Sequence, residues 1–150
     1  MSILEQYEDL AFLSGVTPLF PPDVMLEIIE ACQNANLRIY GFDGFKIWEN
    51  GGVQPFIEHS VDYSNIEDKQ EIFRMSKDFI LKKANLGLMF EIVVDGDNDP
   101  EVLARRAAKQ YPQIILQEEE ARRSGDIRKS DQLGRTRRYL ALLMEKGNKE

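Results

Sequence analysis

Cys32 and His59 are the one cysteine and the one histidine of this 150-residue chain, and together they are its obvious nucleophile and base. A thiol and an imidazole within hydrogen-bond reach form a nucleophilic pair. Cys32, however, completes the apolar stripe Val24, Met25, Ile28, Ile29, Cys32, where a free cysteine behaves as a small hydrophobe. His59 falls on the inward face of an alternating segment. The spacing predicts a core or rim role for both. One Cys and one His do not make a zinc site unless carboxylates complete it. Asp95, Asp97 and Asp99 alternate like the opening ligands of a calcium loop. The glycine needed at the sixth position is Pro100, and the bidentate glutamate of the twelfth is Arg106. These aspartates read instead as a strand-to-helix turn, with Asp99 as N-cap and Pro100 in the first helical position. Among 26 Asp+Glu some carboxylate pair can always be drawn, and none shows the pattern of a glycoside hydrolase. The expectation is no catalytic residue, no metal and no cofactor.

A segment suited to recognition is more prominent. Tyr40, Phe42, Asp43, Phe45, Trp48 and Glu49 precede Phe56, Glu58, Asp62 and Tyr63. Aromatic anchors ringed by carboxylates suit an interface with a basic protein. Asp43, Trp48, Glu49, Glu58, Asp62 and Tyr63 are the candidate contacts. The competing reading puts the aromatics in the core and the acids on a solvated rim, and the sequence leaves both open.

Charge is distributed unevenly. Residues 1–100 carry 18 Asp+Glu against 7 Lys+Arg, a net of −11, and residues 101–150 carry 8 against 12, a net of +4, giving −7 for the chain. An acidic body repels nucleic-acid phosphates and attracts basic proteins. The basic run ARRSGDIRKSDQLGRTRRY could contact phosphates, with Tyr139 stacking on a base. It could equally pair with acidic protein surface in the same chain or another. Glu118, Glu119 and Glu120 directly precede it, and protein pairing is the favoured reading.

The elements that must position these residues follow from periodicity. Ser2 and Glu5 make a capping-box signature, and apolar spacing predicts a helix over about 3–14, stopped at Gly15, with TPLFPP as a rigid connection. Pro22 and Asp23 open a second helix that Asn34 and Asn36 end. LRIYGFDGFKIWE is strand-like, with a turn or bulge at Asp43-Gly44. Asn50-Gly51-Gly52 is a turn. In VQPFIEHSVDY, Val53, Pro55, Ile57, His59, Val61 and Tyr63 share one face, and Pro55 marks an edge strand. Ser64 or Asn65 starts a helix over about 66–84. LMFEIVV reads as a central strand. Helices follow over about 100–123, broken near Pro112, and about 130–146, jointed at Ser124-Gly125.

The expected fold is α+β: a small, mostly antiparallel sheet of three to four strands flanked by helices, with a helical C-terminal extension. The expected organisation is an acidic body over 1–99 and a basic helical extension over 100–150, docked as part of one domain. No apolar run approaches the roughly 18 residues of a membrane span, and the acidic N-terminus lacks the features of a signal peptide. With one cysteine this fits a reducing cytoplasm.

The helix PPDVMLEIIEACQNANL, the segment IYGFDGF with the nearby Trp48, and the strand FEIVV resemble the Immunity protein 40 family, small bacterial immunity proteins of polymorphic toxin systems. The resemblance covers residues around 21–94 and leaves the helices from Pro100 outside it. It implies inhibition of a cognate toxin, often a nuclease with a basic cleft, by direct binding without a cofactor. The other classes kept open are a nucleic-acid-associated regulator working through the basic helices and a small carboxylate-dependent enzyme.

Overall fold

A computed structural model describes residues 2–97 and 99–147. The chain forms two compact units, Met1–Asp97 and Asn98–Glu150. The first is α+β and the second is a helical hairpin.

In the first unit α1 (Ile3–Tyr7) carries the expected capping box: the Glu5 N–H donates to Ser2 Oγ at 3.3 Å and the Ser2 N–H to Glu5 Oε1 at 3.0 Å. The helix does not reach residue 14. After a 3-10 turn at Glu8–Leu10 the chain forms β1 (Phe12–Ser14) and β2 (Thr17–Leu19), paired antiparallel as Phe12 with Leu19 and Ser14 with Thr17. Gly15, at φ 63°, is the first of the two turn residues. A glycine there supplies the positive φ that a tight hairpin requires, so it links two strands instead of stopping a helix. Phe20, directly after β2, exchanges two backbone hydrogen bonds of 2.9 Å with Phe90.

Helix α2 (Pro22–Asn34) places Pro22 in its first turn, and its whole stripe of Val24, Met25, Ile28, Ile29 and Cys32 is buried. Asn36 then takes the left-handed φ of 53° that turns the chain towards the sheet. Strands β3 (Ile39–Ile47), β4 (Val53–Asp62) and β5 (Met89–Val94) make an antiparallel sheet in the order β4-β3-β5. The central strand is therefore β3 and not LMFEIVV. The turn at Asn50-Gly51 has Gly51 at φ 84°, and Asn50 Oδ1 accepts from the Gly52 N–H at 2.9 Å. Pro55 lies on edge strand β4, where its missing N–H costs no ladder bond.

The register of β4 against β3 breaks after Asp43: Asp43 faces Ser60 but Gly44 faces Phe56. Residues 57–59 bulge out, so the even alternation expected over 53–63 fails. Ile57 is 89 % exposed, while Phe56 packs against the core. Helix α3 (Lys69–Lys83) starts later than expected, because Asp68 caps it by accepting from the Gln70 N–H at 3.0 Å. The preceding loop is held by the Arg38 guanidinium, which donates to the carbonyls of Tyr63, Ser64 and Ile66. One face of the sheet and helices α2 and α3 enclose the core, with Phe42, Tyr63, Ile72, Phe73, Ile80, Phe90 and Ile92 all buried.

In the second unit α4 (Pro100–Ser124) and α5 (Ile127–Gly147) run side by side. Asp99 and Pro100 stand at the start of α4 as expected, and the Asp99 carbonyl accepts from Val102 and Leu103. Pro112 does not break α4. It removes one hydrogen bond from an exposed turn, and packing along the hairpin outweighs that loss. Gly125, at φ 79°, ends α4, with the Asp126 N–H donating to Ala121 O at 3.0 Å. No helix among the described residues is long and apolar enough to cross a membrane.

Candidate functional site

Alternation along β3 sends Phe42 and Gly44 towards the helices and Asp43, Phe45 and Ile47 to the opposite side of the sheet. Strand pairing then assembles that outer face. Asp43 lies opposite Ser60 on β4 and Glu91 on β5, Phe45 opposite Pro55 and Met89, and Gly41 opposite Asp62 and Val93. Phe45, Ile47, Val53, Met89 and Val93 are half-buried, and none belongs to the core cluster. The result is an apolar sheet face with carboxylates set in it. Asp43 and Asp62 border one shallow groove with Tyr40, Gly41 and Val93.

Asp43 and Glu91 are directly cross-strand, and neither has a cationic partner among the described residues. Like charges so placed repel one another. Burial, and then the charges of Asp43 and Asp97, push the Glu91 carboxyl above the usual range. Beside this pair the Tyr40 hydroxyl donates to Asp95 Oδ1 at 2.7 Å, and the Arg38 guanidinium stacks over the Tyr40 ring at 5.2 Å. Asp62 Oδ1 accepts from the Ser64 N–H at 2.8 Å, and Ser64 holds the Asp62 carboxyl below the usual range.

The remaining predicted contacts lie elsewhere. Trp48 and Glu49 sit together at the Asn50-Gly51 turn, five residues along from Asp43 and so roughly 16 Å away at about 3.3 Å per strand residue. Trp48 is 45 % exposed. Its Nε1–H donates to Gln54 Oε1 at 3.2 Å, and Lys46 Nζ lies 4.2 Å from the ring centroid. Glu58 is exposed on the β4 bulge, where its backbone oxygen accepts from Lys83 Nζ. Tyr63 is 2 % exposed and packs edge-on against Phe42. Burial pushes its phenol up to about 12. Its side chain therefore offers no surface to a partner. An inward strand end, fixed by the Tyr63 N–H donating to Tyr40 O at 2.7 Å, overrides the expectation.

The sequence reading missed Glu91. Treating LMFEIVV as apolar throughout hid a period of two, in which Phe90, Ile92 and Val94 are buried while Met89, Glu91 and Val93 face outward. That alternation was the available signal.

The pair first considered for nucleophilic chemistry is not built as one. Cys32 is wholly buried, and desolvation pushes its thiol up to about 12. His59 Nδ1 instead faces Lys83 Nζ at 3.0 Å. Of the three alternating aspartates, Asp95 is engaged by Tyr40, and Asp97 is buried with an oxygen 3.5 Å from Ser2 Oγ. Among the described residues no group of three or more His, Cys, Asp or Glu could hold a metal ion.

The outer face can therefore take one guanidinium or ammonium group between Asp43 and Glu91, with apolar contact around it. Comparison of the chain with protein-family models, with curated proteins and with solved structures found no match.

Proposed function

We propose that this chain is a non-enzymatic binding protein that neutralises a basic protein, in the manner of an immunity protein against its cognate toxin, and that it works in the cytoplasm. The observation that carries the reading is the Asp43–Glu91 pair: two carboxylates held side by side without a cation among the described residues, on a half-buried apolar face outside the core. Such a pair is a liability in the free protein and an asset once a partner supplies Arg or Lys. The net of −11 over residues 1–100 attracts a basic partner from a distance. The half-buried Phe45, Ile47, Met89 and Val93 then supply apolar area, and Trp48 a second anchor at the turn. The resemblance over residues 21–94 to the Immunity protein 40 family supports the choice of a toxin as partner.

The test is calorimetric titration with the toxin domain encoded beside the gene for this chain. A one-to-one complex, weakened at least about 30-fold by Asp43→Asn with Glu91→Gln, is expected. Absence of a complex, or of any neighbouring toxin gene, would contradict the toxin reading. A second reading rests on the raised Glu91 carboxyl beside Asp43, since carboxylate enzymes separate acid and base in this way. Hydrolysis by the purified protein that Glu91→Gln abolishes would select it.

A further inference from the structure

The helical hairpin of the second unit carries a charged surface that the binding of a basic protein does not use. Between Ala121 and Tyr139 seven cations face two acids, Asp126 and Asp131. Glu118 fixes two of the cations. It accepts from Arg137 Nε at 2.7 Å and from Arg122 Nη2 at 3.2 Å. Arg128, Arg135 and Arg138 are exposed and in no ion pair among the described residues, although the charge of Arg138 also reaches Glu118. Arg135 and Arg138 border a groove between the helices, together with Arg122, Ser130 and the carboxylates of Glu118 and Asp131.

These side chains are ordered along α5. Arg128, Arg135, Arg138 and Tyr139 all lie on its solvent side. At about 1.5 Å rise per residue, roughly 10 Å separates Arg128 from Arg135 and about 4–5 Å separates Arg135 from Arg138. Long arginine side chains on one helix face can reach phosphates of the same flexible strand. Tyr139 is 51 % exposed and stands one turn from Arg135, offering a ring beside the cations. Arginines interleaved with an exposed aromatic are the elements of single-strand recognition, in which phosphates pair with cations while a base stacks.

We infer that the α4–α5 hairpin binds single-stranded nucleic acid through Arg128, Arg135, Arg138 and Tyr139. Glu119 and Glu120 and the net charge of −7 oppose this. Screening over about 10 Å at 0.1 M salt lets the local excess of cations decide at contact range. The inference does not depend on the toxin-binding reading, because it uses a different surface and a partner of opposite charge.

The experiment is fluorescence anisotropy with the full chain and a labelled 12-nucleotide uridine RNA. The same length of thymidine DNA, a DNA duplex and poly-glutamate serve as further probes. Three phosphate contacts on a single strand predict a salt slope near −2, so RNA affinity should fall about 20-fold from 50 to 200 mM salt. Arg135→Glu with Arg138→Glu should lower affinity at least tenfold, and Tyr139→Ala should lower it severalfold with the salt slope unchanged. Comparable binding of RNA and DNA strands assigns the site to phosphates and bases, whereas RNA alone assigns it to the sugar; both support single-strand binding. Arg135→Gln with Arg138→Gln repeats the test should the reversed variant lose its helical circular dichroism. No binding at 50 mM salt overturns the inference, as does equal or tighter binding of the duplex. Poly-glutamate binding that matches or exceeds RNA overturns it in favour of an acidic protein partner. RNA affinity unchanged in the arginine variants overturns it too.

Discussion

Replacing Glu91 with glutamine should make the free protein more stable and the complex weaker. Glu91 and Asp43 face each other across β3 and β5 without a cation among the described residues. Like charges directly opposite in an antiparallel pair destabilise by up to about 1 kcal/mol. Coulomb's law gives a similar figure, about 0.7–1.4 kcal/mol for charges about 6 Å apart at an effective dielectric of about 40–80. Glutamine keeps the shape and removes the repulsion, so a gain near 1 kcal/mol is expected. With a urea dependence of about 2 kcal/mol per molar, the unfolding midpoint should rise by about 0.5 M. The pH dependence has a defined sign. The Glu91 carboxyl is raised above 4.5 in the folded protein, so in the window just above 4.5 the native state binds the proton more than the unfolded state. Stability must therefore fall as pH rises through that window, and Glu91→Gln should remove this component. Binding should move the other way, because truncating one side of a desolvated charge pair costs about 2 kcal/mol or more, at least 30-fold in affinity. Equilibrium unfolding in urea, with titration of the partner, measures both. Loss of stability in Glu91→Gln would show that the carboxylate has a structural role, and the reasoning would fail.

Trp48 is the sole tryptophan, so its emission should shift to the blue when a partner covers it, and Trp48→Ala should speed dissociation, by about 2 kcal/mol if it is a hot spot. Cys32 should react with a thiol reagent at pH 8 only as fast as the protein opens, because the thiol is buried and pushed up to about 12; rapid labelling of the native protein would contradict that placement. The Glu118 carboxyl is held below 4.5 by its hydrogen bond to Arg137. The unfolded chain therefore binds that proton more readily, and the stabilisation present above 4.5 is lost as pH falls below it. Amide protection factors across α4 and α5, taken against the intrinsic exchange rate at each pH, should fall on acidification through this range, and Glu118→Gln should flatten the response.

The helices and the sheet were legible where one period ran unbroken. The stripe from Val24 to Cys32 and the glycine turns at Gly51 and Gly125 came through intact. Residues 12–20 did not, because Phe12, Leu13 and Leu19 fit a helical or an extended pattern equally well, and only pairing across Gly15 decides. The β4 bulge was hidden for a related reason: alternation assumes a constant register, and the extra residues 57–59 reverse the phase of Ile57 and Phe56. For the proposed site, residue type singled out Asp43 and Trp48 as candidates but could not pair Asp43 with Glu91, which lies 48 positions away and meets it through tertiary pairing alone. Tyr63 shows the limit from the other side, since an aromatic beside acids reads as an anchor until its burial is known.

Hydrogen exchange on the proposed one-to-one complex, formed with a toxin domain encoded beside the gene for this chain, tests the central claim most directly. Binding through the outer sheet face predicts new protection in residues 41–54 and 89–93, with α4 and α5 unchanged. Protection confined to residues 99–147, with β3 and β5 exchanging as in the free protein, would place the partner on the basic hairpin and contradict the account.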